Sequence, residues 1–401
     1  MKFRLLLLLI ILTALSLHAQ KKFLFDATKA ETAGNADWVI DQDGSPQRFP
    51  TPAEATVTAS TAENYWTGAL SAWGIGLVKM GHHVETLPSG TAITYNNASN
   101  VQDLKNYDVF IVDEPNIPFT AAEKTAIVEY VKNGGGLFMI ADHSGADRNN
   151  DGWDPVRVWN DLFRNNSVQS LPFGMILDSN SISQTSSNVV LASPVIINGP
   201  AGQVIQCMYS AGSTITLNPA TNATVKGVIW QSGAAQSTTK VMVAYAKFGS
   251  GKVVLVGDSS PADDGTGAPG NTLYNGWLGD VGPSHANIHL NGSVWLATND
   301  SAVTTAEHPI GSASEFQLQQ NYPNPFNPST EIRFTVRNSG TAVVSVYNML
   351  GQETAVLFNG IANPGQEYRM MFDASSFPGG VYLYRLQSGD QYQIRKMMFI
   401  K

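Results

Sequence analysis

Residues 119–143 read FTAAEKTAIVEYVKNGGGLFMIADH, and their punctuation decides the fold of the middle of the chain. Thr120 stands where a helix N-cap would, with Glu123 three residues on, the spacing of a capping box. Ile127, Val128 and Val131 follow as the apolar face, and a run of glycines closes the helix. LFMIAD comes next, a continuous apolar run of the kind buried on both faces of a parallel sheet. A capped helix feeding a buried strand is the repeating unit of an α/β protein.

The same alternation extends both ways. Upstream, KKFLFDA (21–27), HHVETLP (82–88) and YDVFIVDEP (107–115) are predicted strands, with a helical stretch from about Thr61 to Gly81. Downstream, KVMVAYAKFGSGKVVLVGDSSP (240–261) is a predicted hairpin turned at Gly249-Ser250-Gly251, and HANIHLNGSVWLATN (285–299) is a predicted helix. Residues 167–240 break the pattern with short Ser/Thr/Asn-rich apolar pieces, expected as an antiparallel extension or insertion. Strands alternating with helices imply a doubly wound, flavodoxin-like sheet.

This order of elements resembles the class I glutamine-amidotransferase-like fold, and more narrowly the trehalose-utilisation-like proteins. The residues that carry it are YDVFIVDEP, FTAAEKTAIVEYVKNGGGLFMIADH and GSGKVVLVGDSS. An amidotransferase needs a cysteine thiolate at the turn after the glycine-led strand. Here that turn is Ala141-Asp142-His143, and Cys207 lies far along the chain. The resemblance therefore implies the scaffold and excludes glutamine hydrolysis, and a scaffold alone assigns no reaction.

Composition narrows the classes. The chain has 401 residues, of which 43% are apolar and 14% charged, enough to bury a core. A net charge of −8 without a cluster of Lys and Arg argues against nucleic acid as a partner. One cysteine rules out an internal disulfide and a cysteine-based metal site.

The ends of the chain read as addresses. MKFRLLLLLIILTALSLHAQ has the basic start, apolar core and small-residue cleavage region of a signal peptide over residues 1–19. Its core is short for a membrane span, so no transmembrane anchor is expected after cleavage. From Phe316, short alternating runs are separated by turn clusters such as Asn338-Ser339-Gly340 and Pro378-Gly379-Gly380. That spacing predicts a small all-β, immunoglobulin-like sandwich over 316–401. NYPNPFNPST (321–330), VYNMLGQE (346–353), GVYLYRL (380–386) and KMMFIK (396–401) closely resemble the C-terminal sorting domain of proteins exported by the type IX secretion system. The resemblance implies the secretion machinery as a partner and delivery to the medium or the outer-membrane cell surface, with surface polysaccharide as a further partner. Residues 301–315 read as a linker, which leaves 20–300 to carry the chemistry.

Open α/β sheets bind ligands beyond the carboxyl ends of their strands. Asp26 with Glu31, Asp113 with Glu114, Asp142 with His143, and Asp258 with Asp263 and Asp264 should converge there. Asp142, His143 and Asp258 are candidate catalytic residues, as an acid–base group or as ligands of a reactive metal. Their plain alternative is a loop cap with a packed histidine. His285 and His289, four apart on one helical face, are candidates to reach the same rim, or else sit on a partly buried helix. Crowded carboxylates call for a cation among them, and a divalent metal is the natural candidate. Asp147-x-Asn149-x-Asp151-Gly152 matches the front half of a calcium loop, with Asp154, Asp263 and Asp264 as further oxygen donors. The twelfth position is Val158 where an EF-hand has Glu, and an Asx turn needs no ion at all. Three functions stay open: a metal-assisted hydrolase of an extracellular glycan or other polymer, a calcium-stabilised carbohydrate- or protein-binding module, and a structural surface component.

Overall fold

The computed structural model describes residues 20–42, 45–193, 195–271, 274–279, 283–298, 316–321, 324–348, 352–364, 368–375, 377–389 and 391–401. The signal-peptide segment and the whole 301–315 stretch lie outside them. Two compact units divide the chain, Met1–Ser301 and Ala302–Lys401. No helix among the described residues is long and apolar enough to cross a membrane.

The first unit is mixed α/β. It opens with β1 (Lys22–Asp26), α1 (Ser71–Lys79), β2 (His83–Leu87), β3 (Val109–Asp113), α2 (Ala121–Lys132), β4 (Gly136–Ile140) and α3 (Pro155–Arg164). A run of short strands follows: β5 (Met175–Leu177), β6 (Ile182–Ser186), β7 (Asn188–Val189), β8 (Asn198–Gly199), β9 (Gly202–Gln203), β10 (Cys207–Gly212), β11 (Ile215–Leu217) and β12 (Lys226–Trp230). It closes with β13 (Val241–Phe248), β14 (Gly251–Val256) and α4 (Ser284–Ala297).

The main sheet runs β2-β1-β3-β4-β14-β13-β11-β5, with β12 also on β13. Pairings from β2 to β14 are parallel, and those from β14 through β5 are antiparallel. The predicted hairpin is β13–β14, and the Ser/Thr/Asn-rich region does supply antiparallel strands. The strands β3, β4 and β14 are buried along their whole length, as continuous apolar runs require.

Alternation along each strand sorts the core into two clusters. Phe23, Phe25, Ile111, Phe138 and Val254 pack with Trp73 of α1 and Ile288 of α4. Leu24, Phe110, Leu137, Met139 and Leu255 pack with Ile127 and Val131 of α2 and Trp159 of α3. The capping box on α2 is fully formed by Thr120 and Glu123. The long helix expected from Thr61 is shorter: α1 begins at Ser71, and the stretch before it forms turns. There Trp66 is buried with its amide on the Ser71 hydroxyl and its indole N–H on the Pro52 carbonyl, which holds the chain in turns ahead of the helix. α3 was not expected, though Asp154-Pro155 is a cap followed by a first-turn proline, a legible start signal.

The second unit is all-β. One sheet is β15 (Gln317–Leu318), β16 (Ser329–Thr335) and β19 (Tyr368–Asp373); the other joins β18 (Glu353–Ala362), β17 (Gly340–Tyr347), β20 (Gly380–Ser388) and β21 (Gln391–Phe399) in the order β18-β17-β20-β21. The alternating residues Ile332, Phe334, Val336, Ala342, Val344 and Val346 are all buried in one core, with Tyr384 and Phe399.

Candidate functional site

The carboxyl ends of the parallel strands hold a rim of acidic side chains. β1 ends at Asp26, β3 at Asp113, and Asp142 and Asp258 lie just beyond β4 and β14. All of these are buried, as are Glu31, Glu114 and Asp263. Taking so many carboxyls out of water demands donors, counter-charge or protons. Each solution is used at a different place.

Counter-charge comes from Arg148. Its guanidinium donates to Glu114 Oε1 at 2.5 Å and Oε2 at 3.3 Å, and to Asp142 Oδ2 at 3.1 Å. Ser259 Oγ donates to Glu114 Oε2 at 3.0 Å. The backbone of Arg148 is pinned as well, its amide donating to Asn116 Oδ1 at 2.8 Å. Glu114 itself has a φ of 48°, a left-handed backbone that costs a non-glycine residue energy and is retained here at the rim. Arg148 is the cation that the crowded carboxylates call for, and the sequence reading passed over it. It occupies a variable position inside the Asp147-x-Asn149-x-Asp151 pattern, where attention falls on the oxygens instead.

Donors satisfy Asp258. Its Oδ2 accepts the amides of Ser210 at 2.7 Å and Ala211 at 3.3 Å, and its Oδ1 accepts the amide of Ser260 at 2.9 Å. Gly212 makes this approach possible, since a Cβ there would lie 2.5 Å from the Asp258 Cβ. Burial still pushes the Asp258 carboxyl up to about 6 against these amides.

Protons must satisfy the rest. Asp113 has neither oxygen bonded to a donor among the described residues. Burial, reinforced by the charges of Glu114, Asp263 and Asp258, holds it well above the usual carboxylate range. Glu31 is raised the same way, by burial first and then by the charge of Asp26 beside it. Asp142, although paired with Arg148, is raised as well, by burial and then by Glu114 and Asp258, against the pull of the Arg148 charge.

Asp142 and His143 do not pair through their side chains. Asp142 Oδ1 accepts the His143 amide at 2.7 Å, while His143 Nδ1 lies 3.0 Å from the Ser144 carbonyl. His285 and His289 do not reach the rim, which corrects that expectation. His285 Nε2 accepts the Met208 amide at 2.8 Å and its Nδ1 faces the Gly276 carbonyl at 2.6 Å. His289 is fully buried among Trp73, Phe138 and Trp277, and burial lowers it to about 3. An apolar surround keeps an imidazole neutral, and α4 uses both rings as core.

The loop with the calcium-like pattern stands apart in character. Asp147 accepts the amides of Asp151 and Gly152 at 3.1 and 2.7 Å. Asn149 bonds Asp151 Oδ2 at 3.0 Å, and Asp151 Oδ1 accepts the Trp153 amide at 2.9 Å. Asp154 caps α3 through the Arg157 amide at 2.8 Å and accepts Gly145 N at 2.8 Å. These oxygens accept N–H groups, most of them from the same loop, in the manner of Asx turns. Asp263 and Asp264, assigned to the same ion, accept amides elsewhere, from Gly265 and Tyr274 and from Ala72 and Thr266. Among the described residues no group of three His, Cys, Asp or Glu side chains is placed to hold a metal ion.

Asp263 and Asp264 instead join the rim to an open cleft. Asp263 is raised to about 7 and Asp264 to about 6, both chiefly by burial. Asp264 lines a cavity of about 430 Å³ with Glu63, Asn64, Asn275, Trp277 and Leu278.

Comparison with known proteins settles the other unit. Residues 320–401 match the family of secretion system C-terminal sorting domains. The chain is thus a cargo of type IX secretion, secreted or attached to the cell surface, and its tail engages that machinery. No curated protein matches the chain. Among solved structures, the mmIFT52 N-terminal domain is similar at 16% identity over 69% of this chain and 98% of its own, with a TM-score of 0.41. A ThuA-like protein from Parabacteroides merdae is similar at 12% identity over 70% of this chain and 91% of its own, with a TM-score of 0.36.

Proposed function

We propose that the exported α/β unit is a hydrolase of a polar extracellular substrate, a glycan or other polymer, working through rim carboxyls that open onto the Asp264 cleft. The observation that carries this reading is the adjacent pair Asp263 and Asp264, held at about 7 and about 6 at the junction of rim and cleft. A carboxyl with a value near the working pH serves as general acid when protonated and as general base when not. Burial sustains the raised values, with the neighbouring charges of Asp264 and Glu114 adding to it at Asp263, and Arg148 fixes the geometry by holding Glu114 and Asp142.

We also read the unit as a doubly wound, amidotransferase-like sheet and the tail as an immunoglobulin-like sandwich. The strand order β2-β1-β3-β4-β14, with α1 and α4 in one core cluster and α2 and α3 in the other, supports the first. Two small sheets around one core support the second. A calcium-stabilised binding module is the competing proposal, and attachment to surface polysaccharide would suit either.

The test is turnover by the full chain against a panel of polysaccharides and of chromogenic glycosides and esters. Activity should peak between pH 6 and 7 and fall by about two orders of magnitude or more in folded Asp263→Asn. A folded chain inactive across the panel would retire the hydrolase.

A further inference from the structure

The main sheet ends at β2, and an edge strand leaves amides that need a cover. A strap over residues 48–57 supplies it. The Arg48 carbonyl accepts the Thr86 amide at 2.9 Å. Glu54 Oε2, on a single 3₁₀ turn (Glu54–Thr56), accepts the Val84 amide at 3.1 Å. Two side-chain clamps then fix the strap. Arg48 Nε donates to Glu85 Oε2 at 2.6 Å. The other clamp is an imidazole between two carboxylates: His83 Nδ1 lies 2.7 Å from Glu54 Oε1, and its Nε2 lies 3.0 Å from Glu85 Oε1.

That second clamp depends on a proton. A neutral imidazole has one N–H, so its other nitrogen would turn a lone pair toward a carboxylate oxygen. Only the imidazolium donates to both. Glu85 does not hold the proton, because against burial the hydrogen bonds of His83, Arg48 and Tyr107 bring it down to about 2. The bond to Glu85 first, and then the bond to Glu54, raise His83 above the ordinary histidine value against its burial. Lys22, exposed and in register with His83 on β1, and His82, next along the chain, are the further titratable neighbours. The Phe49 ring lies 6.4 Å from the imidazole.

The arm that Glu54 anchors also supports the cleft. The Pro52 carbonyl accepts the Trp66 indole N–H at 2.8 Å, and the Thr56 and Tyr65 hydroxyls meet at 3.0 Å. Just before Tyr65 come Glu63 and Asn64, which line the cavity beside Asp264.

We propose that His83 is a proton-operated latch: as imidazolium it ties the Glu54 arm to β2, and losing its proton frees that arm and moves the cleft wall at Glu63 and Asn64, while Arg48 keeps its grip on Glu85. The direction follows from the raised value. The latch is closed below about pH 6.5, the ordinary histidine value, and opens as pH rises through the higher folded one. The device goes beyond the hydrolase reading and stands whether or not the cleft turns over a substrate.

The experiment is nuclear magnetic resonance of the full chain from about pH 6 to about pH 9, following the His83 ring nitrogens and backbone amide exchange. Both ring nitrogens should carry protons at the acid end. As His83 titrates, the protection of the Val84 amide should fall about tenfold or more, while the Thr86 amide, held by Arg48, keeps its own. The Asn64 amide should shift with the His83 midpoint. Glu54→Gln should lower that midpoint, and His83→Gln should remove the pH dependence of Val84 protection; should either variant misfold, the wild-type titration and the other variant carry the test. A His83 ring that is neutral at the acid end, or still charged at the alkaline end, would overturn the proposal. So would Val84 protection indifferent to the titration, an equal loss at Thr86, a fixed Asn64 amide, or a midpoint unmoved in folded Glu54→Gln.

Discussion

Two acidic clusters in the α/β unit use the same residue types to opposite ends. In the 147–154 loop each of the acidic side chains finds a backbone amide close in sequence, and the cluster is spent on closing a turn. At the strand ends the carboxyls are sealed from water, and Asp113 keeps both oxygens bare. What separates the clusters is the supply of donors. A loop that folds back on itself brings its own N–H groups, while strands ending side by side have already used theirs in the sheet. The loop nevertheless serves the rim, because its turn presents Arg148 to Glu114 and Asp142.

The contrast breaks first at Arg148. Arg148→Met removes the counter-charge from two buried carboxyls and should destabilise the chain by about 3 kcal/mol near neutral pH, read by denaturant unfolding. The loss should shrink in acid, where Glu114 and Asp142 take up protons. A loss under about 1 kcal/mol would mean that Arg148 is a surface pair of little worth.

Asp113 sharpens it next. A carboxyl raised in the folded chain holds a proton that the unfolded chain releases near pH 4. Its stabilising effect is therefore complete below about pH 4 and is lost as pH rises through the folded value. Asp258 and Asp263 act in the same sense, through about 6 and about 7. Stability should fall from pH 5 to pH 8, and Asp113→Asn should gain on the wild type by about 1.4 kcal/mol per pH unit until Asp113 ionises. Parallel curves would show that Asp113 has an ordinary affinity for protons.

The loop should respond least. Asp151→Ala removes two exposed contacts, with the Trp153 amide and the Asn149 side chain, and should cost about 1 kcal/mol or less. A calcium chelator should leave the melting temperature of the full chain unchanged. A clear drop would restore the calcium reading of Asp147, Asn149, Asp151 and Asp154.

The scaffold was legible because it rests on local rules. The Thr120–Glu123 box, the β13–β14 hairpin and the buried runs of β3 and β4 follow from cap, turn and periodicity. The convergence of Asp26, Asp113, Asp142 and Asp258 was legible too, since strand ends in this architecture share one edge. Arg148 was hidden, because its role depends on a loop crossing to another strand end. His285 and His289 misled for a related reason: helical spacing places both on one face but does not say whether that face meets the rim or the core. The cleft could not be read at all, being assembled from residues near 63, 264 and 277.

The most direct test of the account is the infrared carboxyl spectrum of the folded chain at pH 7, compared with that of Asp113→Asn. A protonated-carboxyl band present in the wild type and reduced in the variant is the predicted result, a buried acid kept neutral in neutral water. Identical spectra, with no protonated band to lose, would mean that Asp113 is ionised, and the rim would then have to hold a cation beyond Arg148.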